Sequence, residues 1–430
     1  MKRPLLLLLL LALAPAARAL PPLKLYLALT RPGGTLRLEP GTYAGGVVID
    51  KPITIEGNGR VTIDGGGEGT VIRIRADGVT LRGLHITHSG TSHDQVDAGI
   101  EVEGDRALIE DNLIDRTLFG IHLKGANDAR IRGNRIFPYA DRDISIRGDA
   151  IRLWYGHGNR IEANEIAGAR DLVFTNASDN LIARNHIHHS RVSMELVYSP
   201  DNQILGNRLE HNVTGVTVIY SSGLRIEGNR IAHMRKFTGS GITVKESYDI
   251  RIRDNEIAHC AVGLLATSPL QPENILHIEG NLFTYNDLAT YFYGEHGGHE
   301  LHGNAFIDNF VDALGSAPPT SRLNDWTGNH WDRYAGFDQD GDGVGDLPYR
   351  VWLHADRIWL ERSMARFFRG TPALSLIDFV ERLVPASEPA LIYADPRPLM
   401  TPPAGITRRR GSSRPASSSP RNRPPESPPR

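Results

Sequence analysis

Four phrases decide the fold: Asn185-His-Ile187, Asn207-Arg-Leu209, Asn229-Arg-Ile231 and Asn255-Glu-Ile257. Each is Asn, any residue, then a branched apolar residue. Working outward, the same phrase stands at Asn112-Leu-Ile114, Asn134-Arg-Ile136, Asn164-Glu-Ile166, Asn281-Leu-Phe283 and Asn304-Ala-Phe306, with gaps of 22, 30, 21, 22, 22, 26, 26 and 23 residues along the series. A period near 22 with insertions marks a solenoid. Within each unit apolar residues alternate with polar ones, as in Ile121-His-Leu123 and Ile250-Arg-Ile252, and Gly or Asn punctuates the pieces. Such pieces are short strands joined by tight turns, and a unit this short has no room for a helix. Leucine-rich and helical repeats are thereby excluded.

The expected architecture is all-β: a right-handed, single-stranded parallel β-helix of about a dozen coils of ~22 residues. Equivalent residues of successive coils then lie about 4.8 Å apart, and the asparagines form a ladder of amides. A less regular form of the pattern runs through Ile53-Thr-Ile55, Val61-Thr-Ile63, Val71-Ile-Arg-Ile74 and Val79-Thr-Leu81. The helix is expected to occupy residues 20–330. Residues 331–400 read as an Asp-rich loop and a C-terminal capping or docking segment. In the latter, Ala373, Leu376, Ile377, Val380, Leu383 and Val384 repeat at helical spacing, so a short amphipathic helix is expected over 372–384.

The ends differ from the body. Lys2 and Arg3 precede the apolar run Leu5 to Ala14, and Ala17-Arg-Ala19 follows, which reads as a cleavable export signal over residues 1–19. No stretch is long enough to be a transmembrane span. Residues 401–430 hold seven Arg, one Glu and eight Pro, and are expected to be disordered. Residues 20–400 carry 38 basic and 49 acidic side chains, a balance that argues against nucleic acid and suits metal cations or a basic partner. Cys260 is the only cysteine, so an exported chain has no internal disulfide, which suits a bacterial periplasm.

Three groups of residues are candidates for chemistry. Asp338, Asp340 and Asp342, followed by Gly343, match the first half of a calcium loop; the twelfth position is Tyr349, so Asp346 is the expected late ligand. His189, His211, His233 and His259 each fall four residues after a ladder Asn, so stacking coils align their imidazoles, and Met234 and Cys260 follow directly. His186 and His188 flank inward-pointing Ile187 and face outward, where two imidazoles can chelate a soft or borderline metal such as copper. The same histidines also read as a polar turn ladder in which His takes the place of Asn. His85, His88 and His93 form a looser group. The third group, Asp94, Asp97, Asp141, Asp143 and Asp149, is the acid supply for cleaving or epimerising an acidic polysaccharide, with Gly156-His157-Gly158 nearby. The sequence lacks an Asp-Asp dipeptide and so the paired acids such chemistry uses.

The order of features resembles the NosD family. The resemblance rests on Asp97-Ala-Gly-Ile100, the Asn-x-Ile coils, Gly328-Asn-His-Trp-Asp-Arg-Tyr334 and Gly336-Phe-Asp338-Gln-Asp340-Gly-Asp342-Gly-Val-Gly-Asp346-Leu-Pro-Tyr349, and spans roughly residues 25–400. It implies a periplasmic accessory protein, not a catalyst. Such a protein works with an ABC-type ATPase and permease, receives copper from a lipoprotein chaperone, and serves maturation of the copper–sulfide centre of nitrous oxide reductase. Where the family reads Arg-Tyr-Gly-Val-His-Tyr-Met-Tyr-Ser, this chain has Arg191-Val-Ser-Met194-Glu195-Leu-Val197-Tyr-Ser199, and an upstream family His corresponds to Arg152. Those departures allow a NosD-like paralogue with another cargo. The copper donors expected here are His186, His188, His189, Met194, His211, His233, Met234, His259 and Cys260. The competing expectation is a secreted β-helix that binds or modifies acidic polysaccharide.

Overall fold

The computed structural model describes residues 20–139, 143–269, 271, 273–353, 371–372, 376–377, 379–380 and 390–406. The expected signal (1–19), most of the tail and most of the helix expected over 372–384 lie outside them. The chain winds as a parallel β-helix, its right hand following from the crossover preference of parallel strands. One face is a 12-stranded sheet with one strand per coil, from Val47–Ile49 to Val311–Gly315; the first and second strands of each coil build the remaining wall.

A representative coil runs through Leu181–Ala183, His186–His188 and Val192–Val197. The register stacks like on like: Ile161, Ile182, Ile204 and Ile226 are successive partners in the first strand, and Ile166, Ile187, Leu209, Ile231 and Ile257 in the second. All of these are buried. Each contributes on the order of 1.5–3 kcal/mol by leaving water, which offsets the cost of ordering so many turns. The alternate residues of each strand face outward, so any functional side chain must come from them or from the corners.

The corners are where the asparagines act. Asn207 Oδ1 accepts from the backbone N–H and the side-chain amide of Asn185 (2.9 and 3.0 Å), and Asn207 Nδ2 donates to Ile182 O and Asn229 Oδ1 (2.9 and 3.0 Å). This pattern repeats from Asn112 to Asn329. A second run of buried amides stands one corner further on at Asn212, Asn286 and Asn309.

Both ends of the described solenoid are closed. A helix at Leu23–Leu29, absent from the sequence reading, buries Leu23 and Leu27 against the first coil; these two apolar positions one turn apart cover the open end. At the other end the cap is an antiparallel pair, Tyr349–Leu353 with Ala390–Asp395. Its Tyr393 packs on Trp326 and Trp331, with ring centroids 4.8 and 5.0 Å apart. Trp331 in turn stacks on Phe306 at 4.3 Å. Buried Asp395 ends the Asn ladder by accepting from Gly328 N, Asn329 N and Trp331 Nε1 at 2.8–3.0 Å. Leu376, Ile377, Phe379 and Val380 are helical and exposed.

Candidate metal site

The corner after the second strand places His189, His211, His233 and His259 at φ of 55°, 57°, 65° and 53°, in the left-handed region where His is tolerated better than most side chains. Identical backbone geometry on successive coils produces identical ring directions. The imidazoles stack with centroids 5.6, 4.5 and 4.8 Å apart, and Tyr285 continues the column at 5.0 Å. Nitrogens of parallel rings at this spacing point the same way rather than at one another. The column therefore offers a series of single donors along the rod, not one closed site.

The first member of the column has two further histidines on the strand before it. His186 and His188 leave the strand on the side opposite buried Ile187, with ring centroids 4.5 Å apart. His188 Nδ1 lies 2.8 Å from His189 Nδ1. That contact is a hydrogen bond, one ring donating and the other accepting; metal–imidazole bonds of about 2.0–2.1 Å put two nitrogens on one ion roughly 3 Å apart, so an ion that displaces the shared proton needs the rings to turn rather than to separate. Burial, followed by the charge of Arg208, lowers the pKa of His186; burial, followed by His186 and His189, lowers that of His188. Burial and neighbouring cations act likewise on His233 and His259. These rings are accordingly neutral near pH 7.

The sulfur donors are corrected. Met194, Met234 and Cys260 are fully buried. Met194 is an inward residue of the third strand. Met234 and Cys260 occupy the coil position filled elsewhere by Asn212 and Asn286, so they point into the core rather than beside the histidines; Cys260 N donates to Asn286 Oδ1 at 2.9 Å. Cys260 Sγ donates to Ala258 O at 3.3 Å, and burial pushes the thiol up to about 12. No thiolate forms there near neutral pH. The adjacency in sequence misled because one step along the chain at a corner turns the side chain from solvent to core.

In the acidic loop, carboxylate oxygens of Asp338, Asp340 and Asp342 lie within 4.8 Å of one another. Asp346 is engaged elsewhere, accepting from Gln339 N at 2.7 Å. Asp338 accepts from Gly343 N and Gly341 N, and those bonds lower its pKa. Of the remaining histidines, His85 pairs with Asp115 and His88 with Asp64, while His93 bonds Ile146 O, so they form no common site. The proposed polysaccharide acids also disperse. Asp97 accepts from Ser92 N, Asp143 from Ser145 N, and Asp141 lies outside the described residues. Among the described acids of this group, Asp149 belongs to a charged cluster with Arg170, Asp171 and Arg191. The sequence reading missed those partners although Asp149, Arg170 and Arg191 recur at 21 residues, one coil length.

A relative from Pseudomonas aeruginosa, "Probable ABC transporter binding protein NosD", is 31% identical over 402 residues, covering 87% of this chain and 90% of the relative. The chain belongs to the NosD family. A NosD relative of the same description from Stutzerimonas stutzeri is 29% identical over 394 residues, with 85% and 87% coverage. The NosD family model, described as "Periplasmic copper-binding protein (NosD)", matches residues 138–336, the segment that contains every histidine of the column. Solved structures extend only the fold. The A-modules of the mannuronan C-5 epimerases AlgE6 and AlgE4 of Azotobacter vinelandii align with TM-scores of 0.55 and 0.50 at 17% identity, over 69% and 70% of this chain and 91% of each module. Among the described residues no helix is long and apolar enough to cross a membrane.

Proposed function

We propose that this NosD-family chain is a periplasmic accessory protein of an ABC-type ATPase and permease, and that it holds copper during maturation of nitrous oxide reductase. Export by residues 1–19 and supply of the ion by a lipoprotein chaperone belong to the same reading. The observation that supports it is the pair His188 and His189, whose Nδ1 atoms lie 2.8 Å apart, with the His186 ring 4.5 Å from that of His188 on the same strand. Borderline imidazole donors suit copper, and a site that is open to solvent and lacks a thiolate releases its ion readily. The column His211, His233, His259 supplies further imidazoles one coil apart, each a single donor on which an ion can rest in turn. A structural calcium ion on Asp338, Asp340 and Asp342 completes the proposal.

The test is a competition titration of Cu(I) against a chromophoric chelator on the mature chain. The triple variant H186A/H188A/H189A is expected to lose tight binding, whereas H233A/H259A retains it. Undiminished affinity in the triple variant refutes the site. Co-purification of the ATPase and permease tests the accessory role independently of the cargo.

A further inference from the structure

Copper binding leaves the corner that follows the third strand unused. Trp154, Thr175, Val197, Ile219 and Lys245 are successive rungs at its edge. The next residue of the chain opens the corner, and at Tyr155, Tyr198 and Tyr220 its φ is 55°, 50° and 50°. Tyr198 and Tyr220 stack with ring centroids 5.0 Å apart, and the Trp154 ring meets that of Tyr155 at 5.5 Å, edge to face. These four side chains and Tyr248 are all exposed, along a rise of about 19 Å from the first of the five coils to the last. Single exposed rings need no explanation, whereas a contiguous column of them marks a surface that something covers.

The charge of this corner is nearly all of one sign. Asp179, Asp201, Glu246 and Asp249 are exposed and form no ion pair among the described residues. Lys245 is the only lysine or arginine in the five corner segments 154–158, 175–179, 197–201, 219–223 and 245–249. The wall built by the first and second strands differs, because its carboxylates are interleaved with cations: Glu162 lies between Arg160 and Arg184, and Glu210 between Arg208 and Arg230. Four uncompensated carboxylates beside exposed rings favour a ligand that is both cationic and apolar.

The chain carries such a ligand itself. Residues 407–430 hold seven Arg and six Pro against one Glu, and lie outside the described structure. They leave the body at Ile406, which is buried against Leu282, Ala305 and Ile307. At the polyproline II rise the stretch from Ile406 to Arg421 reaches about 46 Å, while the coil of Tyr248 stands three rises, or about 14 Å, below that of Ile307, so the last ten residues reach the corner even after crossing one face of the rod. One turn of that helix, about 9.3 Å, matches two coil rises, about 9.6 Å, the separation of Tyr155 and Tyr198; Pro425 and Pro428, three residues apart, share one edge of it. We propose that the tail, residues 407–430, docks in cis along this corner, with prolines on Tyr155, Tyr198 and Tyr220 and arginines on Asp179, Asp201, Glu246 and Asp249. Tethering gives it a high effective concentration, so it occupies the corner ahead of any basic partner.

Trypsin digestion of the full mature chain tests this, with the initial rate of forming the chain that ends at Arg421 read by mass spectrometry. At low salt that bond is expected to be cut at least fivefold more slowly than in a synthetic peptide of residues 407–430, and the difference is expected to shrink in high salt, which screens the arginine–carboxylate contacts. Y155A/Y198A/Y220A and D179N/D201N are each expected to raise the rate at least threefold. Asn tolerates the φ of 56° and 57° that Asp179 and Asp201 adopt, so the second variant serves if the first folds poorly. A peptide-like rate in the wild-type chain or a wild-type rate in both variants overturns the proposal. So does protection that grows with protein concentration, which places the tail of a second copy on the corner.

Discussion

Asn207→Ala is the most informative single change to the scaffold, because this amide stands directly under the coil that presents His186, His188 and His189. The substitution removes four hydrogen bonds. Two partners keep another bond: Asn185 Nδ2 still donates to Ile161 O at 2.8 Å, and Asn229 Oδ1 still accepts from Asn207 N at 2.8 Å. The Asn185 N–H is stranded, and Ile182 O loses its amide donor. A stranded buried group costs about 1–3 kcal/mol and an ordinary lost bond about 1 kcal/mol, so the loss is about 3–6 kcal/mol, a large share of a typical domain's stability. In a solenoid the damage stays near its origin, because each coil contacts only its neighbours. Hydrogen exchange followed by mass spectrometry is therefore the assay. Amides in residues 181–190 and 203–211 should exchange roughly 10²- to 10⁴-fold faster, while coils near residue 100 keep their protection. A loss below about 1 kcal/mol refutes the ladder as the source of corner stability and means that water replaces the amide without penalty.

Other outcomes follow from the same geometry. The lowered pKa values of His186 and His188 mean that the unfolded chain takes up their protons first, from about pH 6.5 downward, so their contribution to stability is present at pH 7 and is lost as pH falls. H186N/H188N should flatten the decline in melting temperature between pH 7 and 5 relative to wild type; an unchanged decline contradicts the assignment. Buried Asp149 has the opposite sign: its pKa is raised to about 6, so wild-type stability gains on acidification from above 6 toward 4, and the difference between wild type and D149N in urea melts should shrink in that direction. Cys260 should resist a thiol reagent in the native chain, and C260S should bind copper as wild type does, because the thiol is buried and held at about 12. Rapid native labelling would place that sulfur at the surface. Calcium at a hundredfold excess over its Kd should stabilise the chain by about 2.7 kcal/mol, read as a rise in melting temperature that D338N/D340N abolishes. Equal rises in both chains would remove calcium from the loop.

Much of the scaffold is legible in one sequence, because a β-helix repeats the same local problem on each coil. The Asn-x-Ile phrase carries both the buried apolar rung and the corner amide, and the register Ile166, Ile187, Leu209, Ile231 follows from its spacing. The alignment of His189, His211, His233 and His259 follows for the same reason. The caps were less legible. Leu23–Leu29 and the Tyr349–Leu353 and Ala390–Asp395 pair occur once each, so no periodicity announces them, and Asp395 meets Asn329 across a long separation in sequence.

By itself, the sequence determined the coil, its period and which residues share a rung, since those depend on interactions repeated between neighbours. Only the tertiary structure decided which way a corner residue turns. His233 and His259 reach solvent while Met234 and Cys260, one residue on, enter the core. It also decided that Asp149, Arg152, Arg191 and His122 gather on one face with bonds unmade. The reason is physical: accessibility and unpaired hydrogen-bonding capacity belong to the packed coil as a whole, and no single residue's identity contains them.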